Sequence, residues 1–420
     1  MARKILLVAM SDSIHTARWI RQFAGQPFDL HLFPSVAHGA SHGELNGCTV
    51  HHGLRKAKFR PGQSRARDRG LPVPGEVTAR LASNLINRYF PGRQLQRLCR
   101  LIERGRFDAV HALELQHAGY LCADAKARLG SKMPPLILSN WGCDISLFQD
   151  LPDEAPKIRR ALMAADYFTA ECRRDYRLAR AHGFSGAFLP CVPAAGGLDV
   201  DALSAEFART PPSQRKLIVI KGYQNWAGRA LFALKAVEKA AVTVRRGGFE
   251  VAIFLPEDSV SFAGRLLEGT HGIPVRCIGR QSHREMMRLY GQARVYIGLS
   301  IGDGISTSFL EAIAMGAFPI QSDSSCGGEW IESGKSGFLA PAEDDARVAE
   351  CLEISLTDDE LVDRSQVTNV QTVREKADAT SVAEAVAAFY LDPAAAAERA
   401  PSSSFSPLKP PLFNLAAVDG

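Results

Sequence analysis

Short apolar runs alternate with longer amphipathic stretches along nearly the whole chain. Lys4–Met10, Asp29–Phe33, Asp108–Leu113, Leu136–Asn140, Tyr167–Glu171 and Ala187–Pro190 read as strands in the first half. Lys216–Lys221, Glu250–Leu255, Val275–Gly279, Val295–Ser300 and Phe318–Ser322 read as strands in the second. Between them, His15–Ala24, Gln116–Leu129 and Arg229–Arg246 carry helical periodicity. Strands apolar on both faces, each followed by a helix, predict parallel sheets covered by helices on both sides. The alternation breaks in Pro193–Arg215, which holds Ala-Ala-Gly-Gly and Pro211-Pro212. The expected fold class is therefore α/β, with two doubly wound Rossmann-like domains, 1–200 and 212–375, facing a cleft. Ligands in such sheets sit beyond the C-terminal strand ends, which here means near Ser139, Gly222 and Ser300. A last helix, Ser381–Tyr390, falls within 376–395. From about Ala400 the chain is rich in Pro and Ser, so 400–420 is expected to be disordered. Phe405, Leu408 and Phe413 still give that tail apolar points for docking.

The densest chemistry lies in Ser300–Asp323, SIGDGISTSFLEAIAMGAFPIQSD. Gly302 and Gly304 break the preceding strand, and Ser308-Phe-Leu-Glu311 has the S-x-x-E form of a capping box. The helix Phe309–Met315 is expected to stop at Gly316. A helix start behind a glycine turn presents free N–H groups and the positive end of its dipole, a ready site for an anion. Asp303 precedes Glu311 by eight positions.

That spacing, with DGISTSFLEAIAMGAFPI around it, resembles the E-x7-E segment of retaining GT-B glycosyltransferases of family 4, the glycosyl transferases group 1. The first acid is Asp here. The second acid, the glycine after the helix and the proline of the next strand all match. The resemblance implies that Glu311 binds the ribose of a nucleotide-diphosphate sugar, that Asp303 contacts the sugar, and that amides near Phe309 and Leu310, beside Ser308, hold the diphosphate. The plain reading of the same residues is that Glu311 only caps its helix, worth about 1 kcal/mol, and that Asp303 is a turn acid. The resemblance also places an Arg and a Lys after the first strand of the second domain. The segment Lys221-Gly-Tyr-Gln-Asn-Trp-Ala-Gly-Arg229 supplies both in a different order, so Lys221 and Arg229 are the candidates for the diphosphate, with Gly222 beside them. Alternatively, Lys221 solvates a strand end and Arg229 packs over Trp226.

In the first domain the resemblance is looser. The turn Met10–Thr16 lacks paired glycines, though Ser13 or Thr16 can cap the next helix and aim His15 at the cleft. Ser139-Asn-Trp-Gly-Cys-Asp144 resembles the family's HGSD loop, with Trp141 in the His position and Asp144 as its acid. Asp144 either positions a reacting hydroxyl or charge on the sugar, or caps the helix that follows. His111 matches the first His of a VHxH strand end, but a His there is more often structural than a base. Glu171 faces the same expected cleft, with Arg173 and Arg174 as candidate partners.

Composition excludes several classes. With 420 residues, 46% hydrophobic and 23% charged, the chain is ordinary for a large globular enzyme. Nine scattered cysteines without a C-x-x-C read as reduced, most of them core filler, and as neither disulfide frame nor zinc site. The Asp153-Glu154 and Asp344-Asp345 pairs sit in polar loops and read as solvated, so no metal is expected, and no cofactor beyond the donor substrate. The apolar run Ile5–Met10 is too short for a span or a signal core, which predicts a cytoplasmic protein. Net charge is +5, and Arg55–Gly70 concentrates seven basic residues against one acid. It reads as a mobile loop, either simply solvated or touching an anionic acceptor or the inner membrane, where each Lys or Arg adds about 1 kcal/mol. Nucleic acid is not expected, because no stacking pattern accompanies the charge.

The expected activity is transfer of a sugar, with retention, from a nucleotide sugar to a glycan or lipid-linked acceptor in cell-envelope polysaccharide biosynthesis. The alternatives are a non-catalytic nucleotide- or glycan-binding protein on the same scaffold, and a sugar-nucleotide epimerase. No G-x-G-x-x-G follows the first strand, which argues against a dinucleotide-dependent oxidoreductase.

Overall fold

The computed structural model describes residues 2–37, 39–56, 65–90, 92–207 and 210–400. Among these, two parallel sheets carry the fold. The first contains β1 (Arg3–Ala9), β2 (Phe28–Pro34), β3 (Asn46–Lys56), β4 (Arg65–Val73), β5 (Ala109–Ala112), β6 (Leu136–Asn140), β7 (Tyr167–Ala170) and β8 (Ala187–Phe188), in the order β4-β3-β2-β1-β5-β6-β7-β8. The second contains β9 (Leu217–Lys221), β10 (Glu250–Phe254), β11 (Val275–Ile278), β12 (Ala293–Gly298), β13 (Phe318–Ser322) and β14 (Phe338–Ala340), in the order β11-β10-β9-β12-β13-β14. The two-domain α/β architecture expected from the apolar runs is the one observed.

Alternation of side chains across each strand explains why those runs are apolar throughout. In β1, Leu6 and Val8 enter one core while Ile5, Leu7 and Ala9 enter the core on the opposite face. In β9, Ile218 and Ile220 divide from Leu217 and Val219 in the same way. Each such Leu, Ile or Val contributes roughly 1.5–3 kcal/mol by leaving water.

Each sheet reverses its strand order beside its first strand, β1 lying between β2 and β5, and β9 between β10 and β12. These are the switch points where a crevice opens beyond the C-terminal strand ends. The two crevices face each other. The helix Ala379–Leu391 packs back on the first sheet, burying Val382, Val386, Phe389 and Tyr390 in the core with Ile5, Leu7 and Trp19. Tyr390 Oη takes the Trp19 Nε1–H at 3.1 Å and lies 2.6 Å from His111 Nδ1. Of the tail expected over 400–420, residues 401–420 lie outside the described residues.

Two expectations need correction. Arg55–Gly70 is not one loop, because β3 continues to Lys56 and β4 starts at Arg65, while 57–64 lie outside the described residues. Gly70 fits there for a physical reason: its φ is +128°, and a Cβ would stand 2.7 Å from the His52 carbonyl oxygen. Nor are the cysteines all reduced. Cys172 of the first domain is bonded to Cys326 of the second, with Cα atoms 6.2 Å apart. Cys48, Cys99, Cys122, Cys143 and Cys351 are free and buried, as expected for filler.

Candidate active site in the interdomain cleft

A cleft of about 510 Å³ lies between the domains, within the size range of nucleotide-sized ligand sites. The second domain builds one wall from the ends of β9 and β12 and the start of the helix Thr307–Ala314. That helix begins two residues earlier than the S-x-x-E pattern suggested. Its N-cap is Ser306, which makes no side-chain cap bond, and Ser308 lies inside the first turn. The capping-box reading of Ser308 and Glu311 is therefore wrong, and the hydroxyls do something else. Lys221 Nζ donates to Ser306 Oγ at 3.0 Å, Ser306 Oγ meets Ser308 Oγ at 2.8 Å, and Ser308 Oγ meets Tyr296 Oη at 2.8 Å. A polar chain runs from the cation to the helix start.

Asp303 Oδ2 stands 3.6 Å from Lys221 Nζ. Burial alone lowers the Lys221 pKa, but Asp303, Tyr296 and Tyr223 outweigh it and hold the ammonium above its ordinary value. The cleft therefore carries a protonated cation at the end of β9. Glu311, only 5% exposed, accepts from Arg18 Nη1 at 3.2 Å and lies 3.1 Å from His283 Nε2. A carboxylate that is not capping its helix is free to serve the cleft.

Phe309 and Leu310 are core residues, and the Leu310 amide is bonded to the Ser306 carbonyl. The N–H groups left without intrahelical partners are those of the first turn, at Thr307, Ser308 and Phe309, and Thr307 and Ser308 lie on the cleft lining. Gly222 is a packing position outside the lining: a Cβ there would meet Pro256 Cα at 2.6 Å. Arg229 also falls outside the lining. Its Nε bonds Glu343 Oε1 at 2.5 Å and its Nη1 bonds the Gly228 carbonyl at 2.9 Å. It does not pack over Trp226, which is 61% exposed and meets Phe148 edge to face.

The first domain builds the opposite wall. Ser13 caps the helix Ile14–Arg21 by accepting the His15 N–H, and His15 faces the cleft as expected. Burial, helped by Arg18 and Lys221, lowers its pKa against the pull of Asp303 and Glu311. Asp144 lines the cleft and does not cap the next helix. Its Oδ2 accepts from Leu115 N at 3.0 Å and Trp141 N at 3.3 Å, joining two loops, and burial pushes its carboxyl well up. Glu171 accepts from Gly142 N at 2.9 Å and Ala194 N at 3.0 Å, and burial raises it to about 8. Arg174 pairs with Asp175 at 2.8 Å, not with Glu171, and its Nη2 reaches across to the Asp303 carbonyl. His111 is fully buried between Tyr390 and Ser139, and burial lowers it to about 3, a structural residue as expected.

Sequence reasoning missed Arg18 and His283, the two groups on Glu311. Arg18 had a signal: it lies three positions after His15, hence on the same helix face. His283 had none, since its element ends at the cleft only through the turn after β11. Among the described residues, one buried group offers three potential metal ligands, Cys172, Asp175 and Cys326. It lies outside the cleft lining.

The family model described as glycosyl transferases group 1 matches residues 229–358, less than half of the chain but the part that holds Asp303 and Glu311. No curated protein matches the chain in sequence. Solved structures show the fold. HepE from Anabaena in complex with UDP-glucose superposes with a TM-score of 0.63 at 12% identity, covering 91% of this chain and 98% of that one. Trehalose-6-phosphate synthase from Burkholderia multivorans gives 0.65 at 15% identity, covering 95% and 100%. Sucrose-phosphate synthase from Thermosynechococcus elongatus gives 0.60 at 12%, covering 94% and 100%. The fold is that of GT-B glycosyltransferases, and the family match supports a glycosyltransferase.

Proposed function

We propose that the protein is a retaining, metal-independent glycosyltransferase of family 4 that moves a hexose from a nucleotide-diphosphate sugar. The observation that carries this reading is the convergence of Lys221, Asp303, Glu311 and an open helix start on one wall of the cleft. Glu311 takes the ribose hydroxyls, exchanging Arg18 or His283 for the ligand. Lys221 and the Thr307 and Ser308 amides take the diphosphate, and Asp303 meets the sugar. HepE binding UDP-glucose is a likeness in the same direction.

In the reaction, the bond between the anomeric carbon and the diphosphate oxygen breaks, and the acceptor oxygen bonds that carbon on the same face. The acceptor proton passes to the departing diphosphate. No protein base is then required, which suits a wall whose His111 is sealed in the core and whose Asp144 is spent on backbone N–H groups. Lys221 and the helix start stabilise the charge that develops on the leaving group.

For the acceptor we propose a lipid-linked or envelope glycan, met at the membrane surface from the cytoplasmic side. The helix Glu76–Tyr89 supports this: Val77, Leu81, Leu85 and Tyr89 recur every fourth residue and are 71%, 58%, 56% and 70% exposed. Exposed Arg67, Arg69, Arg80 and Arg88 flank them, a pattern that suits an anionic bilayer surface. No helix among the described residues is long and apolar enough to cross a membrane.

The test is thermal unfolding with UDP, GDP, ADP and their sugars, beside Glu311→Ala. A ligand at about 100 times its Kd stabilises by about 2.7 kcal/mol. A base-selective shift lost in the variant is expected, and no shift with any nucleotide overturns the reading.

A further inference from the structure

The bond between Cys172 and Cys326 joins the two walls of the cleft, across 154 positions of sequence. Cys172 directly follows Glu171, which lines the cleft, and opens the helix Arg173–Ala181. Cys326 begins the short turn Cys326–Glu329, and its N–H donates to the carbonyl of Gly304 in the turn that carries Asp303. Around this pair polar contacts join the domains. Glu329 accepts the Arg173 N–H at 2.9 and 3.1 Å, and Arg174 donates to the Ser324 carbonyl at 3.0 Å and the Asp303 carbonyl at 3.0 Å. Such contacts, worth about 1 kcal/mol each net, part and re-form when two domains hinge around a ligand. A covalent bond does not.

We propose that Cys172 and Cys326 are a redox modification site that clamps the cleft shut when oxidised and frees it when reduced. Their Cα separation of 6.2 Å lies within the range a disulfide spans. Both states have a partner at hand, because Asp175 Oδ2 stands 3.1 Å from Cys172 Sγ and accepts the thiol hydrogen of the reduced form. Both sulfurs are buried in the closed molecule, so a small-molecule disulfide reaches them only when the domains part. One protein thiolate then attacks that disulfide, forming a mixed disulfide and releasing one small thiol. Closure brings up the second protein thiolate, which bonds the first sulfur and expels the other small thiol. Two protein thiols are oxidised, one disulfide is reduced, and the two protons leave on the released thiols.

The full chain equilibrated in mixtures of oxidised and reduced glutathione tests this, with free thiols blocked by iodoacetamide before digestion without reductant. A Cys172–Cys326 cross-linked peptide pair is expected to grow with oxidised glutathione and to vanish with dithiothreitol. In the cross-linked form, amide exchange in the cleft loops around Gly142 and Asp303 is expected to slow by about tenfold or more. Cys326→Ser should show neither effect, and Cys172→Ser serves if that variant does not fold. The proposal fails if no cross-link forms at any ratio, if the cross-linked form exchanges as fast as the reduced one, or if the pair is found holding zinc. None of these readouts uses a nucleotide, so their failure is separate from any failure of the donor assignment.

Discussion

The two walls of the cleft carry similar acids and put them to opposite uses. On the second domain, Asp303 and Glu311 are held by side chains that a ligand can replace: Lys221, Arg18 and His283. On the first domain, Asp144 and Glu171 are held by backbone N–H groups of loops they shape: Leu115, Trp141, Gly142 and Ala194. A carboxylate bonded to side chains can be traded to a substrate. One bonded to backbone cannot leave without the loop. Under the proposed function, this difference gives donor binding to the acids of the second domain and loop shaping to those of the first.

Three substitutions press on that contrast where its effects are largest. Lys221→Met should lower kcat by about 100- to 1000-fold, the loss typical of removing one preorganised charge partner of a leaving group. Steady-state rates with the matched donor check it, and a change below about threefold would remove Lys221 from the diphosphate. Glu311→Ala should weaken nucleotide binding by about 10- to 100-fold, since each charge-assisted bond is worth about 1.5–3 kcal/mol. Titration calorimetry reads this directly. Asp144→Ala should act in the opposite sense, leaving nucleotide Kd unchanged while destabilising by about 1–3 kcal/mol through two orphaned N–H groups. A large loss of affinity with unchanged stability would make Asp144 a binding residue and break the contrast.

Glu171 sharpens the same comparison through pH. Its folded pKa of about 8 is raised by burial above the unfolded carboxyl value. Between those values the folded state holds a proton that the unfolded state has lost, so stability falls as pH rises from about 4.5 to about 8 and levels off above. The slope is at most about 1.4 kcal/mol per pH unit for one group. Glu171→Gln should remove that slope, and denaturant titrations of both proteins across pH 4–9 measure the difference. Parallel curves would show that Glu171 is ionised in the fold.

What the sequence reveals follows how completely an element is buried. β6 and β13 are legible to the residue because every position is buried, so hydrophobic runs and strands coincide. β3 and β4 are not, since NGCTVHHGLRK and RARDRGLPV lie at the sheet edge with polar and glycine positions that break both periods. β14 has three residues and no room for a pattern. At the site, the Asp303–Glu311 block was legible because one segment supplies the glycine turn, the helix start and both acids. Its helix register was misread by two residues because Ser306 and Ser308 are both plausible caps. Arg18 was marked only by sharing a helix face with His15, while His283 and the Cys172–Cys326 bond depend on contacts between distant segments, which no local spacing encodes.

Arg229 supplies the smallest effect and the cleanest control. In sequence it matched Lys221 as a candidate for the diphosphate, Lys221 ending β9 and Arg229 following eight residues later. In the fold Lys221 points along the cleft, while Arg229 is turned to Glu343, a carboxylate that is 53% exposed. An ion pair of that exposure contributes about 0–1 kcal/mol. Arg229→Ala should therefore leave nucleotide affinity within about twofold and lower stability by no more than about 1 kcal/mol. Its guanidinium also holds the Gly228 carbonyl, beside the β-bridge from Gly228 to Ser300. If affinity nonetheless falls tenfold or more, which is about 1.4 kcal/mol, then Arg229 swings away from Glu343 when the donor arrives. The second wall would then be assembled by its ligand, whereas unchanged affinity means that Lys221 alone meets the phosphates on a wall already in place.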